Sequence, residues 1–127
     1  MKQPTYGTSL HYSGEQGDRY LSWQDAQGKI SGVLNARKFE KFDFSEQTVL
    51  DFGAGAGNLL FNLNAKNKIA VEVNLAAHQQ LLSKGLSVAQ TLEEIPSSSV
   101  DVVISHHALE HVPFPIAALT EMHRILK

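Results

Sequence analysis

The chain contains no cysteine, which excludes disulfides and thiolate metal sites from the outset. It also lacks an excess of charge of either sign: eleven Lys and Arg stand against thirteen Asp and Glu, and no run of like charge exceeds two residues. The basic footprint of a nucleic-acid binder is therefore missing. Long apolar runs are absent too. The opening "MKQPTYGTSLHYSG" has no apolar core of a signal peptide, and nothing approaches the roughly 18 apolar residues of a membrane span. The expectation is a cytoplasmic protein with neither a membrane nor a nucleic-acid partner. No internal repeat or low-complexity linker divides the 127 residues, so residues 1–127 are expected to form one domain.

What is present is a set of short apolar segments. "TVLDF" (48–52), "KIAVEV" (68–73) and "VDVVIS" (100–105), with a weaker "LSVAQ" (86–90), are apolar at consecutive positions. Strands covered on both faces have that composition, as in parallel sheets. Helical stretches lie between them. "GNLLFNLNA" puts Leu59, Leu60 and Leu63 on one face, and "NLAAHQQLLSKG" runs from a candidate N-cap at Asn74 to a candidate C-cap at Gly85. "PIAALTEMHRILK" carries Ile116, Leu119, Met122 and Leu126 as a stripe, with Pro115 in its first turn. Alternating strands and helices predict an α/β fold, a Rossmann-like parallel sheet with flanking helices, over 46–127. Residues 1–45 differ in character: a Gly-, Ser- and aromatic-rich stretch without clear period precedes "ISGVLNARKFEKF", read as an amphipathic helix presenting Ile30, Val33, Leu34 and Phe42 to the sheet.

The densest signal is "VLDFGAGAGN" (49–58), with glycines at 53, 55 and 57 between an apolar strand and a helix. A loop of this kind lets backbone approach a ligand and aims a helix N-terminus at it. A tight turn that needs positive φ is the plainer reading. A dinucleotide fingerprint requires G-x-G-x-x-G, but the third slot falls on Asn58 counting from Gly53 and on Leu60 counting from Gly55. The observed spacing is G-x-G-x-G, with Asp51 two residues before the first glycine.

In that spacing the chain resembles the class I methyltransferases that use S-adenosylmethionine. "AVEVN" ends its strand on Glu72, twenty-one residues after Asp51, where that family places the acid that accepts from both ribose hydroxyls; two carboxylate oxygens suit a vicinal diol. "LEEIPSSSVDVVISHHALEHV" and "ALTEMHRILK" are similar to the fourth-strand region and the helix after it. The likeness runs from about Thr48 to Lys127 and is greatest for the small-molecule branch known as types 11 and 12. It implies a cofactor site of Asp51, Gly53, Ala54, Gly55, Gly57, Glu72 and Val73, with Gln90, Thr91 and Leu92 at the adenine and Ser105 and His106 near the methionine arm. S-adenosylhomocysteine would be the product and a small molecule, saccharide or lipid-linked group the acceptor. A non-catalytic S-adenosylmethionine-binding module or partner subunit is the alternative, and a nicotinamide oxidoreductase a weaker one.

"SHHALEH" gathers His106, His107, Glu110 and His111. On a helical turn His107 and His111 would share a face beside Glu110. His106 and His107 are the candidate bases for removing an acceptor's proton; no metal is assigned. Tyr6, Tyr12, Tyr20 and Trp23 supply aromatic surface to a region that the resemblance makes a lid, and Arg37 is a candidate for the ligand's carboxylate. The family's sheet is seven-stranded, whereas four strands are legible here. The expectation is a cofactor-binding half with "VDVVIS" left at an edge, completed by further chain or by a second copy.

Overall fold

Four parallel strands form one sheet in the order β3-β2-β1-β4. The computed structural model describes residues 3–127. In chain order the elements are α1 (Gly14–Ala36), β1 (Phe44–Phe52), α2 (Asn58–Phe61), β2 (Ala65–Val71), α3 (His78–Ser83), β3 (Ser87–Ala89), β4 (Val102–Ile104) and α4 (Pro115–Ile125), joined in places by 3-10 turns. The order doubles back at β1: the chain moves outward to β2 and β3, then crosses to β4 on the other side. That reversal opens a crevice at the C-terminal ends of β1 and β4.

Both faces of the sheet are covered, as consecutive apolar positions require. Leu50, Phe52 and Val71 point into a core with Leu92, Ala118, Met122 and Ile125. Val49, Ala70 and Ile104 point the other way, onto Leu59, Leu60, Leu63, Leu81 and Leu86. Leu50, Leu60, Leu81, Leu92 and Ile125 are fully buried, and each contributes about 1.5 to 3 kcal/mol relative to exposure. The expected strands are all present with shifted limits. β1 begins at Phe44, four residues earlier than its apolar run, and β2 ends at Val71, so that Glu72 stands just past its end. β4 is an edge strand paired to β1 from Val102 to Ile104. On its outer side the described residues supply an isolated parallel bridge between Val100 and Leu126.

Four helical expectations need correction. The segment around residue 20 is not irregular: α1 is a continuous helix of 23 residues. Its orientation is the reverse of the one expected. Ile30, Val33 and Leu34 are exposed, Ile30 by 76%, as is Phe42 beyond the helix end, while Gly17, Gly28 and Gly32 are buried. A Cβ on Gly32 would lie 2.6 Å from Cβ of Asn58 and 2.8 Å from its carbonyl oxygen. The two helices approach closely at Gly32 because no side chain intervenes there, and with glycines beside Leu21 and Ala36 on the contact face the large apolar residues report the wrong face. In α4 the buried stripe is Ala118, Met122 and Ile125, and Ile116 and Leu119 face outward. The helix after the glycine loop spans a single turn, yet Leu59, Leu60 and Leu63 are buried as expected. Asn74 does cap its segment, accepting from Ala76 N at 3.0 Å, and Gly85 closes it with φ +76°.

Candidate active site

The glycine loop follows β1, and all three of its glycines have positive φ: 78° at Gly53, 56° at Gly55 and 80° at Gly57. Positive φ strains an L side chain, but the three positions meet different neighbours. A Cβ on Gly57 would lie 2.5 Å from Cδ2 of Leu81 and 2.9 Å from Cδ1 of Leu86, so this glycine faces the core. A Cβ on Gly53 would meet Ala108, and one on Gly55 would meet the amide oxygen of Gln24, which reaches over from α1. Backbone amides of Gly53 and Ala54 both donate to the carbonyl of Val71, at 2.9 and 3.2 Å. Lys84 anchors the far side of the loop, donating from Nζ to the Ala56 carbonyl at 2.6 Å.

Glu72 leaves the end of β2 and turns its carboxylate toward this loop. Oε2 accepts from the Gly55 amide at 2.7 Å and Oε1 from the Asn74 amide at 2.9 Å. Each oxygen thereby keeps acceptor capacity for a ligand hydroxyl. His78 Nε2 lies 2.7 Å from the Glu72 carbonyl oxygen. A carbonyl can only accept, so this nitrogen carries the proton. Burial raises the Glu72 carboxyl above the ordinary range, while the Asn74 and Gly55 amides and the nearby His78 pull it back. Asp51, in β1, is more extreme: burial first, then the adjacent Glu72 charge, push it up to about 8. Two carboxyls in one buried region resist being charged together.

A cavity of about 320 Å³ opens above these groups, bounded by Gly53, Gly55, Glu72, Val73, Gln90 and His106. Six of the residues expected at the cofactor thus meet at one wall, and His107 joins them at the mouth. Asp51, Ala54, Gly57, Thr91, Leu92 and Ser105 stand outside that wall. Thr91 is spent on a capping box with Glu94, Leu92 is core, and Ser105 is exposed. Gln90 holds its place by donating from Nε2 to the Val73 carbonyl at 3.0 Å. Arg37 lines a separate groove with Phe39 and Phe42, not this cavity.

The N-terminal segment borders the same cavity through Tyr6, Tyr12, Tyr20 and Gln24. Tyr6 is buried edge-on against Phe52, with ring centroids 5.3 Å apart, and its hydroxyl accepts from the Leu92 amide at 3.0 Å. Tyr12 and Tyr20 pack edge to face at 4.9 Å, and His111 lies 4.8 Å from Tyr12. Trp23 points away and is 64% exposed. Gln24 was not foreseen, because one polar residue on a helix of unclear period gives no signal. The buried glycine spacing Gly28-x-x-x-Gly32 was the available clue to how α1 packs.

In the "SHHALEH" segment the helical turn begins only after His107. His107 has φ 56° and the chain makes only a 3-10 turn at Leu109–His111. Glu110 Oε1 lies 3.5 Å from His107 Nδ1 and 3.8 Å from His111 Nε2. His106 and His107 pack edge to face, 4.3 Å apart. Lys38, also unforeseen, places Nζ 2.8 Å from His106 Nε2. Among the described residues no group of three or more His, Asp or Glu side chains is placed to hold a metal ion, and no helix is long and apolar enough to cross a membrane.

A parallel sheet whose strand order reverses beside a glycine loop, with an acid at the end of the neighbouring strand, defines a Rossmann-like nucleoside-binding domain. The comparisons with known proteins narrow this class. A family profile described as a methyltransferase domain, of type 11, matches residues 50–127. The chain belongs to this methyltransferase family, whose cofactor is S-adenosylmethionine. Among solved structures it is similar to a SAM-dependent methyltransferase of Thermotoga maritima, at 23% identity over 87% of this chain and 53% of that one, with TM-score 0.66. It is also similar to the YcgJ protein of Bacillus subtilis, at 27% identity over 77% of this chain and 47% of that one, with TM-score 0.60. A candidate S-adenosyl-L-methionine-dependent methyltransferase of Methanococcus maripaludis aligns over 100% of this chain and 63% of its own, at 15% identity and TM-score 0.75. The chain therefore spans about half the length of the first two, and their fold is what the likeness carries. A search of curated proteins finds no match.

Proposed function

We propose that this chain binds S-adenosylmethionine in the cavity beside Glu72 and directs its methyl group to a small-molecule acceptor. The observation that carries the reading is the Glu72 carboxylate. It is buried at the cavity wall and fixed by two backbone amides, leaving each oxygen free to accept once more. The residues present fit such a ligand. Gly53 and Gly55 keep side chains out of the wall, and a volume of about 320 Å³ lies within the roughly 300 to 1,000 Å³ of small-molecule sites.

When bound, S-adenosylmethionine supplies an electrophilic methyl on a sulfonium. The residues of the chain have four tasks. Glu72 holds the ribose diol, Gln90 and Val73 border the adenine, Tyr12 and Tyr20 present ring faces that favour a cation, and His106 and His107 supply polar groups at the mouth. Aromatic faces stabilise a nearby cation by roughly 0.5 to 2 kcal/mol. Excluding water and aligning the acceptor with the methyl carbon is the larger contribution, up to about 7 to 11 kcal/mol. The aromatic residues that line the cavity and the slightly acidic net charge of -2 support a small acceptor over nucleic acid.

Calorimetry with S-adenosylhomocysteine tests the seat. Micromolar binding, on the order of -8 kcal/mol, is expected, with no heat from NAD or NADP. Binding of NAD alone would overturn the reading. Incubation with methyl-labelled S-adenosylmethionine and a panel of hydroxyl and amine acceptors tests turnover; binding without transfer to any of them would favour a non-catalytic module.

A further inference from the structure

We propose that His106 and His107 have opposite duties at the cavity mouth, assigned by two positioning residues: Lys38 holds His106 as a neutral hydrogen-bond donor, and Glu110 holds His107 as the proton acceptor. The inference rests on the reading of the cavity as a methyl-transfer site. It begins from contacts that are otherwise unexplained.

An ammonium group has three donors and no acceptor. With Lys38 Nζ 2.8 Å from His106 Nε2, the lysine donates and the ring nitrogen accepts. The imidazole proton is then on Nδ1, and the lone pair that could act as a base is already occupied. A second ring proton would set two cations in contact. Burial, then Lys38 and His107, hold His106 below the usual histidine range, with Glu110 in part opposing them. His106, which lines the cavity, is therefore left with one donor, Nδ1–H, and no free lone pair.

His107 faces the contrary partner. An ionised carboxylate only accepts, and Oε1 of Glu110 lies 3.5 Å from Nδ1 of His107. The proton belongs on Nδ1, because a ring lone pair pointed at a carboxylate oxygen is repelled. Nε2 keeps its lone pair, free to take a proton. The left-handed backbone at His107, φ 56°, is a costly conformation for a non-glycine residue, and strained backbone of this sort is retained where it aims a functional side chain. Two adjacent histidines with oppositely charged partners form a divided acid–base arrangement.

With S-adenosylmethionine bound, Nε2 of His107 would take the proton of the acceptor's heteroatom, whose electron pair would bond to the methyl carbon as the sulfur–carbon pair stays with S-adenosylhomocysteine. Glu110 lies beside the imidazolium so formed, with Oε1 3.5 Å from Nδ1. His106 donates to an acceptor oxygen or to the ligand and takes up no proton.

Long-range proton–nitrogen NMR of the nitrogen-15 labelled chain at neutral pH reads both tautomers directly. The wild type should show Nδ1–H, with unprotonated Nε2, at both residues. Lys38→Met should convert His106 to mostly Nε2–H and raise its titration midpoint while leaving His107 unchanged; Lys38→Arg should restore the wild-type pattern. Glu110→Ala should convert His107 alone. Both positioning residues are exposed, and the amide spectrum verifies that each variant is folded. A wild-type Nε2–H tautomer at either histidine, or no response to Lys38→Met, overturns the proposal. S-adenosylhomocysteine titrated into the wild type separates the two layers: failure to bind refutes the methyl-transfer reading and leaves the tautomer result standing.

Discussion

Gly55 and Glu72 are joined by a 2.7 Å hydrogen bond from the glycine amide to carboxylate Oε2. This contact connects the turn after β1 to the end of β2, so the acid that faces the cavity also holds the loop beneath it. Ligand affinity and loop geometry are consequently coupled through one side chain.

That coupling makes Glu72→Ala a test with two readouts. Affinity for S-adenosylhomocysteine should fall by about 1.5 to 3 kcal/mol, the size of a hydrogen bond to a charged group. Glu72→Gln keeps an acceptor and should lose less. Amide exchange at Gly55 should quicken in the alanine variant, because its partner is gone. If both variants bind as tightly as wild type in calorimetry, the role of Glu72 at the ribose is wrong.

The glycines should separate by substitution. Gly57→Ala combines a left-handed backbone with a Cβ 2.5 Å from Leu81, and should cost about 2 to 5 kcal/mol of stability. At Gly55 the atom in the way is the end of the flexible Gln24 side chain, 2.6 Å off, so stability should fall less. Ligand affinity should nevertheless drop, because the added methyl narrows the cavity. Urea unfolding with parallel calorimetry checks both, and equal losses of stability at the two positions would contradict the assignment.

Asp51 should make the protein less stable as pH rises. Its carboxyl is pushed up to about 8, so between the unfolded and folded values the native state keeps a proton that the unfolded chain releases. The stability it contributes is complete below about pH 4 and is lost on the way to about pH 8, with a slope of up to about 1.4 kcal/mol per pH unit. Asp51→Asn removes the titration, so its advantage over wild type should widen from pH 5 to pH 8. Parallel stability–pH curves for the two proteins would show that Asp51 is not the titrating group.

Tyr6 ties the N-terminal segment to the core through its hydroxyl. Tyr6→Phe retains the ring against Phe52 and removes the acceptor for the Leu92 amide, 3.0 Å away. A buried N–H without a partner costs about 1 to 3 kcal/mol. The urea midpoint should fall with an unchanged m-value, and an unaltered midpoint would show that water replaces the hydroxyl.

The amino-acid sequence by itself determined the parallel sheet, because Val49, Leu50 and Phe52, like Ala70 and Val71, are apolar on both strand faces and can be stable only if both are covered. It likewise determined the loop and the acid, since three glycines after a strand and Glu72 at the end of the next one are local signals. Tertiary structure alone decided what each of these residues touches. Gly57 faces Leu81 and Leu86 while Gly55 faces the cavity, a distinction made by neighbours more than twenty residues away in the chain. The direction of α1 was hidden for the opposite reason: Gly17, Gly28 and Gly32 lie on its contact face beside Leu21 and Ala36, so close approach at small residues contributes to the packing and the large apolar residues do not mark the buried face. The pairing of Lys38 with His106 joins residues 68 positions apart, and no periodicity within either segment encodes a contact that exists only once the sheet has brought the end of α1 beside β4.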